Sequence, residues 1–194
     1  MEDDVEGLYA QAKSGAWGTV LAAWRRDPEL ASACAHFTKP TSGWTFLHQA
    51  AHFGNEAACR ALIQAGASVI SASRDGQTPS QVALARGRGH VAEVLDHAAS
   101  GVDRLWDAPT EAGVLPSSCL WSEAQPRTAT SELVVAYGGA VTRVRQGGTY
   151  YVDSFGRVLV GWHGTTTPPA DMAGYPMVRV EGSRDSRRQP FGDD

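Results

Sequence analysis

Gly43-Trp44-Thr45-Phe46-Leu47-His48-Gln49-Ala50-Ala51-His52-Phe53-Gly54 decides the reading of the first half of this chain. It returns as Gly76-Gln77-Thr78-Pro79-Ser80-Gln81-Val82-Ala83-Leu84-Ala85-Arg86-Gly87. Gly43 and Gly76 are 33 residues apart, and so are Gly54 and Gly87. A fixed period of this length marks a stacked supersecondary unit. The positions make physical sense. Thr45 and Thr78 stand where a helix needs a side-chain oxygen for its free amides, and Pro79 follows at the first helical position, where a missing N–H costs nothing. Ala50, Ala51 and Ala83 are small enough for neighbouring helices to approach closely. Gly54 and Gly87 end the helix in left-handed conformation, as Gly66 ends the next one.

Each motif is followed by a second apolar period, Ala58, Ala61 and Leu62 in one copy and Val91, Val94 and Leu95 in the other. Gln64-Ala65-Gly66-Ala67-Ser68-Val69 closes the unit. A looser copy runs earlier: Leu8 to Gly15, then Val20 to Trp24, then Asp27-Pro28-Glu29-Leu30. Gly15 to Gly54 is 39 residues, so an insertion is expected between Asp27 and Pro40. One repeat cannot bury its apolar face alone, and three copies are about the minimum for a stable stack. The third copy departs from the second, with Ser80-Gln81 in place of Leu47-His48, as a terminal cap does. Gln11, Lys13, Arg86, Arg88, Glu93 and Asp96 suit the polar outer faces of the two caps.

The pattern resembles the ankyrin repeat, whose unit reads G-x-T-P-L-H-x-A-A-x-x-G before a second helix and a turn. The resemblance covers about residues 5–100. It implies a protein partner, bound on the β-turn fingers and the exposed face of the inner helices. Carried onto this chain, that surface comprises Trp44, Gln49, His52 and Phe53, with Arg74, Asp75 and Gln77 on the finger between the second and third copies. Trp44 and Phe53 lead, because buried aromatics supply most interface energy. The alternative is that either packs on the long first finger, Cys34 to Ser42. His48 holds the histidine position of the motif, where the imidazole bonds neighbouring backbone.

The second half reads differently. Residues 101–131 are poor in periodicity, contain Pro109, Pro116 and Pro126, and form a connecting segment anchored by Trp106 and Trp121. Short β-rich runs follow at Leu133–Tyr137, Ala140–Arg145, Thr149–Asp153 and Arg157–Trp162, with Met177–Val180 as a fifth. Gly138-Gly139, Gln146-Gly147-Gly148 and Ser154-Phe155-Gly156 lie between them as hairpin turns. The expected fold is therefore α+β. A short helical stack of three repeats over 5–100, first and last as caps, precedes a small antiparallel β meander or barrel-like module over 132–183. Residues 184–194 are expected to be a disordered tail.

Composition bounds the function. A net charge of −4 and a pI near 5.8 argue against general nucleic-acid binding, which needs excess positive charge. No stretch approaches the roughly 20 apolar residues of a membrane span. Met1-Glu2-Asp3-Asp4 is not the start of a secretory leader, and Cys34, Cys59 and Cys119 are odd in number without metal-ligand spacing. An intracellular setting, cytoplasmic or nuclear, is expected. His90 and His97 are seven apart and could share one face of the last helix, but no cysteine stands at helical spacing from them. No metal, cofactor, catalytic serine or phosphate loop is expected.

Val160-Gly161-Trp162-His163-Gly164-Thr165 is similar to the W-H-G-[ST] segment of ADP-ribosyltransferases. Such an enzyme needs a long further stretch holding a tyrosine and a late glutamate. Here 31 residues follow His163, and Tyr175 and Glu181 lie too close. The plain reading is a strand end followed by a turn. The sequence thus favours a protein-binding adaptor. Two alternatives stand beside it: a ligand-binding or catalytic β module using Arg143, Arg145, Tyr151, Asp153 and His163, or a dedicated inhibitor of one partner.

Overall fold

The computed structural model describes residues 2–102, 109, 113–137, 140–160 and 179–181; of residue 140 and residues 179–181 it describes the backbone alone. Among the described residues seven α-helices come first: α1 (Glu2–Lys13), α2 (Trp17–Arg26), α3 (Pro28–His36), α4 (Phe46–Phe53), α5 (Glu56–Gln64), α6 (Pro79–Ala85) and α7 (Gly89–Ser100). Thr45 and Thr78 cap α4 and α6, each within a reciprocal capping box whose third residue is His48 or Gln81. Gly54 closes α4 in left-handed conformation at φ 69°. Asn55 caps α5 by accepting from the Ala58 amide. α1, α4 and α6 form an inner row, with α5 and α7 behind it.

The insertion between the first and second copies is itself a helix. Asp27 accepts from the Leu30 amide and Pro28 occupies the first turn, so Asp27-Pro28 is a start signal rather than a loop. α3 thereby stands beside α5 in the outer row. The core is continuous from Val5 to Ala98. Ala12, Ala50, Ala51 and Ala83 are fully buried along the inner row, and Phe46, Leu47, Leu62, Ile63 and Leu95 fill the space behind. Tyr9, Trp24 and Phe37 meet the Phe46 ring at 5.2, 5.8 and 5.9 Å between centroids, which locks the first copy to the second.

Seven strands follow among the described residues: β1 (Ser117–Ser118), β2 (Gln125–Thr128), β3 (Leu133–Tyr137), β4 (Ala140–Val144), β5 (Thr149–Val152), β6 (Val158–Leu159) and β7 (Arg179–Glu181). They do not form the single meander or barrel that the sequence suggests. One sheet has the order β1-β6-β5-β2 and the other β3-β4-β7. β3 and β4 pair antiparallel with Tyr137 opposite Ala140, and the expected turn at Gly138-Gly139 lies outside the described residues. At Gln146–Gly148 the chain turns as expected but passes from one sheet to the other, because β5 pairs with β2 and not with β4. β2 was hidden by Pro126, and it sits at a sheet edge, where a missing backbone donor is tolerated. β1 runs parallel to β6, so the sheet is mixed rather than antiparallel throughout.

The turn between β5 and β6 fastens this part of the chain to the helices. Asp153 Oδ1 accepts from the amides of Phe155 and Arg157, both at 2.9 Å, and Oδ2 accepts from Arg157 Nε at 2.8 Å. Arg157 Nη1 donates to the carbonyl of Ala98, in the last turn of α7, where a cation opposes the helix dipole. Asp153 and Arg157 are 2% and 3% exposed, so this is a buried ion pair. Phe155 joins the helical core, with the guanidinium carbons of Arg60 and Arg157 at 5.1 and 5.2 Å from its ring centroid. Glu123 adds a second tie, accepting from His97 of α7 and from the Ser154 amide.

Candidate functional site: the concave face of the helical stack

Two fingers project from the starts of the inner helices. In the first, the Lys39 amide donates to the Trp44 carbonyl at 2.8 Å and Thr38 bridges Thr45. In the second, the Ser73 amide donates to the Gln77 carbonyl at 2.9 Å. The Arg74 amide donates to the Ser42 carbonyl and joins the two. Gly43 sits at φ 71°, and a Cβ there would lie 2.8 Å from the Arg74 nitrogen, so this junction requires glycine.

His48 holds the fingers from below. It is fully buried; the Thr45 amide donates to Nδ1, which leaves Nε2–H to donate to the Gln77 carbonyl at 2.9 Å. Burial pushes its imidazole below the ordinary range, which keeps it neutral and fixes this tautomer. Trp44 lies half-buried over this support, its ring 5.7 Å from His48 and 5.8 Å from His52.

Between α1, the first finger and α4 lies a groove of about 720 Å³, lined by Glu6, Tyr9, Lys13, Lys39, Trp44 and His52 among others. It gathers part of the expected binding set. Trp44 and His52 line it. Phe53 is 37% exposed at the end of α4 and turns toward Gly15. Arg74, Asp75 and Gln77 are exposed on the second finger. Gln49 also reaches the groove but is only 6% exposed, and its Nε2 donates to the Tyr9 hydroxyl at 3.1 Å. It serves the contact between α1 and α4 more than it serves an open surface. His52 is held below the ordinary imidazole range first by burial and then by Arg86 and Arg88.

A family model described as ankyrin repeats (many copies) matches residues 47–95. Residues 47–95 are ankyrin repeats. Among curated proteins, none matches the chain. Ankyrin repeats are generally protein-interaction modules, and the matched residues run from the first turn of α4 into α7. The copy formed by α1 and α2 precedes them and packs on the same core. Its contribution to the groove, through Glu6, Tyr9 and Lys13, was not visible from the ankyrin motif, since the first copy matches it only loosely.

The β-module residues do not converge. Arg143 and Arg145 are exposed on one face of β4 and its end, and Arg143 pairs with Glu132 at 2.7 Å. Tyr151 lies on β5 with its ring 6.3 Å from Trp121, in the other sheet. Asp153 is consumed by Arg157. His163, with the rest of the W-H-G segment, Trp106 and the expected tail, lies outside the described residues. Among the described residues no group of three or more His, Cys, Asp or Glu could hold a metal ion, and no helix is long and apolar enough to cross a membrane. A second groove, of about 610 Å³ and mainly apolar, lies behind the stack between α2, α3, α5 and Val114-Leu115.

The sequence missed the fastening role of Asp153, Phe155 and Arg157. The signal was present. Asp153 and Gly156 are the first and fourth residues of a turn, and a phenylalanine at a turn apex needs somewhere to be buried.

Proposed function

We propose that the chain is a protein-interaction adaptor that receives its partner along the concave groove and the two fingers. The observation that carries this is the groove between α1, the first finger and α4, with a half-exposed tryptophan held on a rigid, buried histidine support. Trp44 and Phe53 are its anchors, with His52, Arg74, Asp75 and Gln77 as the polar surround. Such an arrangement needs no cofactor and no covalent chemistry. The β module braces the outer helices through Phe155 and Arg157.

The test uses the full chain as bait in lysate of its native cells, beside a folded Trp44→Ala, Phe53→Ala bait. A stoichiometric partner held by the first and lost by the second is expected. Equal retention by both baits would sink the groove as the binding surface and direct attention to the β module.

A further inference from the structure

We propose that the basic surface beside the groove, where Arg86 and Arg88 lie near His52 and Gly54 at the ends of α4 and α6 and Lys13 lines the neighbouring groove wall, seats the carboxylates of an acidic segment of the partner protein, with an apolar side chain of that segment against Phe53. The proposal rests on the concave face being the binding surface and names the chemistry of what binds there. The inner helices run parallel. Glu6 reaches Lys39 of the first finger at one end, while Lys13 shares the groove wall with His52 at the other. Glu2, Asp3 and Asp4 occupy the first turn of α1 and Asp75 lies on the second finger. At the far end Lys13, Arg86 and Arg88 are exposed, and among the described residues none of them is in an ion pair.

Glu56, at the start of α5, is occupied by Arg60 at 2.7 Å and His90 at 2.8 Å. Arg88 is also placed. A Cβ on Gly54 would lie 2.7 Å from its Cδ, so the bare glycine lets the arginine stem rest on the end of α4. Burial first, and then both arginines, depress the His52 imidazole, and the second part agrees with a local positive field. This field is a feature of one surface beside the groove, since the chain as a whole carries −4. Guanidinium groups take carboxylates through paired N–H donors, and exposed aromatic surface beside them accepts an apolar neighbour. Charge matching of this kind sets partner choice and encounter rate.

The experiment is fluorescence anisotropy on the full chain with a dye-labelled peptide alternating glutamate and leucine. Its glutamine counterpart and single-stranded oligothymidylate serve as comparison probes. The glutamate peptide should bind at least about tenfold more tightly than the glutamine peptide, and more weakly as salt rises. Arg86→Ala with Arg88→Ala should cost about tenfold or more, while Arg25→Ala with Arg26→Ala, on exposed arginines at the end of α2, should change little. Both double variants are surface changes, and unchanged circular dichroism confirms that they fold. Equal binding of the two peptides, equal loss in both variants, or tighter binding of the oligonucleotide through Arg86 and Arg88 overturns the proposal. In the bait experiment, a partner lost with Trp44→Ala, Phe53→Ala but kept by Arg86→Ala, Arg88→Ala overturns the acidic seat alone. Retention by both overturns the concave-face reading beneath it.

Discussion

His48 does at one position what the repeat needs at two. Its amide and Nδ1 close the capping box with Thr45, and its Nε2–H reaches the next finger at Gln77. The third copy keeps the box with Gln81, whose side chain accepts from the Thr78 amide. Proton linkage at His48 has a definite sign. The folded pKa is lowered, so the unfolded chain binds more protons below its ordinary value of 6.5. Its stabilising contribution is complete above that pH and declines as pH falls from there toward the folded pKa. His52 acts in the same direction. Urea unfolding at pH 7.5 and 5.5 should show a less stable protein at the lower pH, and His48→Gln should reduce that difference. A difference unchanged in the variant would remove His48 as its source. Phe46, fully buried between the first and second copies, should cost about 3–5 kcal/mol when replaced by alanine.

At the scale of elements, what the sequence declared depended on whether the signal was local. The helices of the second and third copies were legible because caps, alanines and closing glycines recur in register. α3 was half-legible. Its position is marked by the excess length, but an Asp-Pro pair opens a turn as readily as it opens a helix, and here it opens a helix. Asp27→Ala should destabilise the chain by about 1 kcal/mol, read by urea unfolding, and no loss would mean that packing on α5 alone fixes α3. The strands were found more readily than their partners. Alternation marks a strand, but which strand lies beside it is a tertiary matter. β2 carried no alternation and a proline, so only pairing with β5 reveals it. The buried pair in the β5–β6 turn gives a sharper prediction. Asp153→Asn leaves the Arg157 charge buried without its counterion and should cost about 3–5 kcal/mol. Replacing both residues with leucine should cost less than either single loss, since no lone buried charge is left.

For the whole molecule, one turn couples two kinds of architecture. Phe155 is the β-module residue that enters the core of the ankyrin stack, flanked by Arg60, His97 and Arg157. Thermal unfolding of the intact chain is therefore expected as one transition, the same by far-UV circular dichroism and tryptophan fluorescence. In Phe155→Ala the two probes should separate, the strands loosening first. The candidate surface was legible in the sequence only as far as the ankyrin framework fixes positions. Trp44 and His52 fell on the groove because motif positions determine where they point. Gln49 was drawn into the contact with Tyr9, a partner 40 positions away that no local pattern announces. The basic surface escaped notice because Arg86 and Arg88 read as the polar face of a cap, and only the packed structure brings them to His52.

The most direct test of the concave surface as the working face is hydrogen–deuterium exchange of the full chain, free and bound to the partner captured by the bait. Protection confined to residues 41–54, 73–78 and 86–88, with the end of α1, is the predicted result. Protection centred on residues 133–144 or 149–160, with the fingers unchanged, would contradict it and place the function in the β module.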